Sequence, residues 1–148
     1  MTKNEETITT FIKSFDERIA VTFEESGCCY FNHMDRILNV DLNSFDSELI
    51  RYFREHVIEK HGFGVIKNIN DITFAILHEL GHYFCHHTYG GLDPLERFFI
   101  MLNPSVRGRQ YEYFDREVEW EATEWAINFI KTNYAVVKLF EEKLLTNQ

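Results

Sequence analysis

The run from Phe74 to His87, "FAILHELGHYFCHH", constrains the fold more than any other part of the chain. Ile72, Phe74, Ala75, Ile76, Leu77, Leu80, Tyr83 and Phe84 cover almost every side of a helical wheel, and a helix that is apolar all round belongs inside a protein. The same run nevertheless carries His78, Glu79 and His82. Residues four apart lie one turn apart on one side of an α-helix, so two imidazoles at 78 and 82 can reach a common ion. Glu79 stands beside them, where a general base belongs. Buried polar groups need partners, and a divalent cation supplies one to all three side chains at once. The plain alternative is a packing helix that happens to hold histidine. Shuffling this chain would produce H-E-x-x-H about 4 times in 100, so the motif draws its weight from its buried setting.

A catalytic zinc takes three protein ligands and keeps the fourth position for water. His86 continues the four-residue series but lies about 6 Å further along the axis than His82, too far to share an ion on a straight helix. The longer pattern H-E-x-x-H-x-x-G-x-x-H is absent, because position 85 is Cys and position 88 is Thr. Cys85, His86 and His87 therefore read as helix-end or supporting residues. The third ligand is expected on "DREVEWEATEWAINFI", Asp115 to Ile130, whose apolar face is Val118, Ala122, Trp125, Ala126 and Phe129. Glu119 and Glu121 flank that face on opposite edges, while Glu117 and Glu124 point to solvent. Small residues at 122, 123 and 126 lie on the side of Glu119 and would let a second helix come close. Helical geometry thus prefers Glu119 and leaves Glu121 open. A solvated acidic face with no metal is the plain reading of this run.

The remaining sequence bounds the setting. At 148 residues, with two prolines, seven glycines and no repeat or linker, the chain reads as one domain over 1–148. A formal charge of −9 argues against an electrostatic nucleic-acid binder. Neither a secretory signal nor a membrane-spanning run is read, so a cytoplasmic protein is expected. Cys28, Cys29 and Cys85 do not suggest a disulfide framework and fit reduced thiols.

Helical spacing is read at about 4 to 16, from Asp46 to Lys60 ending at "HGFG", and from Asp71, taken as the N-cap, through the histidines. A short helix is read at Pro94 to Leu102, and a long one from Asp115 to Leu144 with a break at "KTNYA". Three β-branched and aromatic segments, "RIAVTFE", "CCYFN" and "RILNVDLN", read as an antiparallel three-stranded meander. The expected class is α+β, a small sheet with helices packed on it.

"HELGHYFCHH", followed 37 residues after His82 by "EWEATEWA", resembles the ImmA/IrrE-like zinc metallopeptidases. These are small gluzincin-type domains that carry H-E-L-G-H and then E-x-x-A-(N/D)-x-(F/W)-A on a later helix. The resemblance centres on these two motifs and extends over roughly residues 20 to 130. It implies a minimal zincin-like domain with Zn2+ held by His78, His82 and Glu119 and with Glu79 as general base. It also implies a protein substrate, of which a DNA-bound transcriptional repressor is the family's example, without direct contact to nucleic acid. Thr123 stands where the family more often has Asn or Asp, and "INFIKT" replaces an "LLMP"-like ending.

The expected mechanism is zinc-assisted hydrolysis, with Glu79 passing a proton from water to the leaving amine and Tyr111, Tyr113 or His86 as donors to the oxyanion. The segment from Gly90 to Tyr113 is a candidate lid. Two rival readings are a non-catalytic zinc-binding regulatory or interaction domain, and a metal-free helical interaction domain.

Overall fold

A computed structural model describes residues 1–26, 29–43, 54–55, 57–62, 64, 68–85 and 119–146. The first helix, α1, spans Lys3–Phe15 and begins where the Thr2 side chain accepts a hydrogen bond from the Glu5 N–H at 3.1 Å. Ile8, Phe11 and Ile12 recur at helical spacing and are buried.

Three short strands follow, β1 Ala20–Thr22, β2 Tyr30–Asn32 and β3 Ile37–Asn39. They lie within the three segments read from sequence, but the meander is corrected. The order is β1-β3-β2, with β3 parallel to β1 and antiparallel to β2, so the sheet is mixed. Buried polar side chains supply the reason. Along "RILNVDLN" one face carries Leu38 and Val40 into the core, and the other carries Asn39 and Asp41, both almost fully buried.

The Asn39 carbonyl oxygen accepts from the Thr22 hydroxyl at 2.7 Å and the Glu24 N–H at 2.8 Å, while its amide donates to the Glu24 carbonyl at 3.0 Å and the Ser26 hydroxyl at 3.1 Å. Asp41 accepts from the Ser26 N–H at 3.1 Å. The chain leaving β1 is thereby tied across β3 instead of turning back as a hairpin, and β2 is laid on the far side of β3.

Residues 54–55 and 57–61 are helical (α2), with Val57 buried. Gly62 closes this helix at φ 92, a left-handed value that favours glycine, its N–H bonding to the Ile58 carbonyl at 2.9 Å. Helix α3 spans Asp71–Phe84, α4 covers 119–132, and α5 spans Tyr134–Thr146 after an interruption at Asn133, inside the expected "KTNYA" break. The short helix expected at Pro94–Leu102, the start of the Asp46–Lys60 helix, and Asp115 to Val118 lie outside the described residues. No described helix is long and apolar enough to cross a membrane.

The core joins α1, β3, α3, α4 and α5 through Ile8, Ile12, Leu38, Val40, Phe74, Ile76, Leu77, Leu80, Ala126, Ile127, Ile130, Val137 and Phe140. Each large side chain fully buried there contributes roughly 1.5–3 kcal/mol relative to exposure. Phe11 stacks on Phe140 at 4.0 Å between ring centroids, and Trp125 lies nearly parallel to both Phe84 and Phe129 at 5.1 and 5.6 Å. Helix α3, which carries the histidines, thus runs through the middle of the packing. The described elements are α+β.

Candidate metal centre

The N-terminal end of α3 is tied to the rest of the fold, and its C-terminal end is closed by a bond within the helix. Its N-cap is Asn70, one residue before the expected Asp71, and its side chain accepts from the Thr73 N–H at 2.9 Å. Asp71 instead occupies the first turn and pairs with Arg54 at 2.8 Å. The Asn70 N–H donates to Glu141 of α5 at 2.8 Å, and Lys138 pairs with that buried carboxylate at 2.9 Å. At the other end the Cys85 N–H returns to the Gly81 carbonyl at 2.9 Å. A helix held this way sets its side chains in fixed directions.

Gly81, inside H-E-L-G-H, lies at the crossing of α3 and α4. A Cβ on it would stand 2.5 Å from the Ala122 carbonyl oxygen and 2.9 Å from the Ala122 Cα, so only a residue without a side chain admits this approach. The small residues expected on the Glu119 side of α4 therefore form its contact with α3. Glu119 lies one turn before this contact and Thr123 directly after it.

His78 Nε2 is in direct contact with Glu119 Oε2, and His82 Nε2 lies 3.3 Å from Glu119 Oε1. One carboxylate thus meets both histidines. Glu121, the alternative, is exposed. The other nitrogen of His78, Nδ1, is 3.0 Å from the Thr123 hydroxyl, and both residues are buried. That contact holds the imidazole with Nε2 turned toward Glu119. Thr123 serves here although a shorter side chain stands where the resembled family more often has Asn or Asp.

His78, Glu79 and His82 present ligand atoms that all lie within 4.8 Å of one another. This donor set, two imidazoles and the Glu79 carboxylate, with Glu119 against both imidazoles, is of the kind that holds a divalent cation. The two carboxylates live in opposite environments. Burial pushes Glu79 up to about 8, against the charge of His82 and a backbone hydrogen bond from Phe31. The residue keeps some solvent-accessible surface, but its carboxyl is set deep among protein atoms. Burial also opposes ionisation of Glu119, yet the hydrogen bonds and charges of His78 and His82 outweigh it and hold Glu119 well below the usual carboxylate range.

Phe31 reaches Glu79 because of the sheet register. The Arg36 carbonyl and the Val40 N–H bond to β1, which places Leu38 between them in the same ladder. Phe31 is paired with Leu38, so its N–H and C=O point away from β3 to the edge of β2 on which no other described strand pairs, where Glu79 lies. Nothing in a single sequence marks a backbone group of this kind.

Glu124, expected in solvent, is half-buried and takes 2.7 and 2.9 Å contacts from His61 and Lys60 at the end of α2. Burial opposes its ionisation, but those two neighbours hold it below the ordinary range. It directly follows Thr123, about 100° further round α4, and touches neither His78 nor His82 in the contacts described. Cys29 and Cys85 form no disulfide among the described residues, and burial and Glu121 raise the pKa of Cys85; Cys28 lies outside the described residues. His86, His87, Tyr111, Tyr113 and the candidate lid from Gly90 to Tyr113 also lie outside them.

Comparison with protein families, with curated proteins and with solved structures finds no match to this chain.

Proposed function

We propose that the chain is a metal-dependent peptidase of the ImmA/IrrE-like, zincin-like kind, with His78, His82 and Glu119 as ligands of a zinc ion and Glu79 as general base. The observation that carries this reading is the single Glu119 carboxylate meeting both histidines of H-E-x-x-H, with Glu79 beside them at the outer edge of β2 in the described sheet. When bound, the cation would supply Lewis acidity, polarising a carbonyl and acidifying water.

The chain's own residues supply the remaining parts. Thr123 orients His78, and Glu119 contributes a carboxylate whose charged form its neighbours favour. Glu79, whose carboxyl burial raises to about 8, is suited once ionised to take a proton from water and return it to a leaving amine. The Phe31 N–H is engaged by Glu79, and its outward C=O offers a backbone hydrogen bond to an extended peptide laid along β2. A regulatory protein such as a transcriptional repressor is the substrate class that the family resemblance adds.

The second reading, a non-catalytic zinc-binding regulatory or interaction domain, draws on the same cluster. Glu79 lies close enough to both histidines to serve as a fourth ligand, which would close the coordination sphere and leave a structural ion. Glu79→Gln separates the two. The peptidase reading expects the variant to retain zinc and to lose cleavage of a peptide pool by at least about a hundredfold. Loss of zinc together with absence of cleavage in the native chain would support the closed site instead.

A further inference from the structure

A cavity of about 750 Å³ opens beside the C-terminal end of α3, lined among others by Tyr83 and Phe84 of that helix, Asp16 and Arg18 after α1, and His33 and Arg36 of the β2–β3 turn. It adjoins the candidate metal centre. Tyr83 follows Glu79 by four residues and so lies one turn further along the same face. Phe31, whose backbone meets Glu79, has its ring 5.2 Å from that of Tyr83 and 6.4 Å from that of His33. A peptide lying over Glu79 along β2 would bring a neighbouring residue, or its own end, to this cavity.

Two arginines face the cavity, and Arg18 is already engaged. Its Nε and Nη2 donate to Asp16 at 3.0 and 2.8 Å, and the Tyr83 hydroxyl donates to the same carboxylate at 2.5 Å. Arg36 makes no ion pair among the described residues, and its charge acts on the Tyr83 hydroxyl. It also sits at φ 50, the only non-glycine with positive φ among the described residues. The last position of such a turn suits Gly or Asn, which adopt left-handed backbone at lower cost. An unpaired cation held in a disfavoured conformation at the rim of a cavity points to a role for its side chain. Beside it, His33 Nδ1 is buried with no hydrogen-bond partner among the described residues.

We propose that this cavity binds a carboxylate of the peptide substrate, with Arg36 as the ion-pairing group and His33 as a second polar contact. The proposal rests on the peptidase reading and names the substrate feature it would select. Guanidinium and carboxylate match as planar, two-point partners, and the Asp16–Arg18–Tyr83 network and Asp35 line the same cavity. Two sources share this chemistry, an Asp or Glu side chain and a free C-terminus.

The test reads binding apart from cleavage. Zinc-loaded Glu79→Gln chain is immobilised and offered random hexapeptides, made once with a free C-terminal carboxylate and once amidated, and the retained peptides are sequenced by mass spectrometry. Several-fold enrichment of Asp and Glu at one position in both pools assigns the side-chain source. Several-fold preference for the free-carboxylate pool assigns the C-terminus. Because the chain carries a formal charge of −9, its overall field opposes either result, so enrichment reports the local site.

Adding Arg36→Glu should reverse the enrichment toward Lys and Arg. Adding Arg36→Asn should abolish it while melting no lower than the parent, since Asn suits the backbone. Retention without carboxylate preference, no retention, or a preference unchanged by both substitutions would overturn the proposal. Native chain that cleaves the pools without that preference overturns the proposal alone. Carboxylate-selective binding without any cleavage by native chain overturns the peptidase reading and leaves the cavity's selectivity standing.

Discussion

Two carboxylates that differ little in sequence differ sharply in setting. Glu119 is held ionised by two histidines, whereas burial raises Glu79 to about 8. The folded value of Glu79 lies above its ordinary 4.5, so the fold favours the neutral acid. The stability this contributes is fully present below about pH 4.5 and is lost as pH rises through about 8. Chelated protein should therefore melt at falling temperature between pH 5 and 8, and Glu79→Gln should flatten that fall; an unchanged slope in the variant contradicts the assignment.

Thr123→Val, which keeps shape and removes the hydroxyl, should weaken zinc affinity about 10- to 100-fold in a competition assay, with Thr123→Ser retaining most of it. Equal affinity in Thr123→Val would leave Thr123 no part in orienting His78. At this scale the histidine pair was legible from spacing alone. Helical geometry preferred Glu119 to Glu121 without deciding between them, because both flank the apolar face of their helix and only contact with the partner helix distinguishes them. The Asn70 cap escaped because Asp71 beside it is an equally good capping residue.

Between elements, the crossing of α3 and α4 decides whether the site exists. A methyl group at Gly81 would press on Ala122 backbone, which no rotamer can relieve. Gly81→Ala is expected to cost about 1–3 kcal/mol of stability in urea denaturation and to weaken zinc binding as Glu119 is displaced. Native stability with native zinc affinity would place the helices further apart than described here.

Asn39 has a comparable role in the sheet. Removing its four hydrogen bonds by Asn39→Leu should destabilise the fold by about 2–4 kcal/mol, since the groups it satisfied lie in a partly buried connection. The periodicity of "RILNVDLN" announces a strand with one polar face, which reads naturally as a face toward water. That this polar face is buried against the chain leaving β1 depends on contacts across 13 to 17 residues. The mixed topology therefore lies beyond pattern reading.

For the whole molecule, the α+β class followed from helical and alternating periods, and the centre followed from a buried helix bearing groups that burial penalises. The pairing of Glu124 with His61 and Lys60 followed from neither, because it joins segments 63 residues apart. The candidate centre runs from β2 through Glu79 to the histidines and across to α4, and the proposed function depends on a metal ion held by residues of both helices.

Metal content reads out that ion. The protein, purified without added metal and measured by mass spectrometry beside Glu119→Ala and Glu121→Ala, should carry about one zinc per chain, lost in the first variant and kept in the second. A native chain that takes up no zinc even when it is offered, or two variants that bind it equally, would contradict the account.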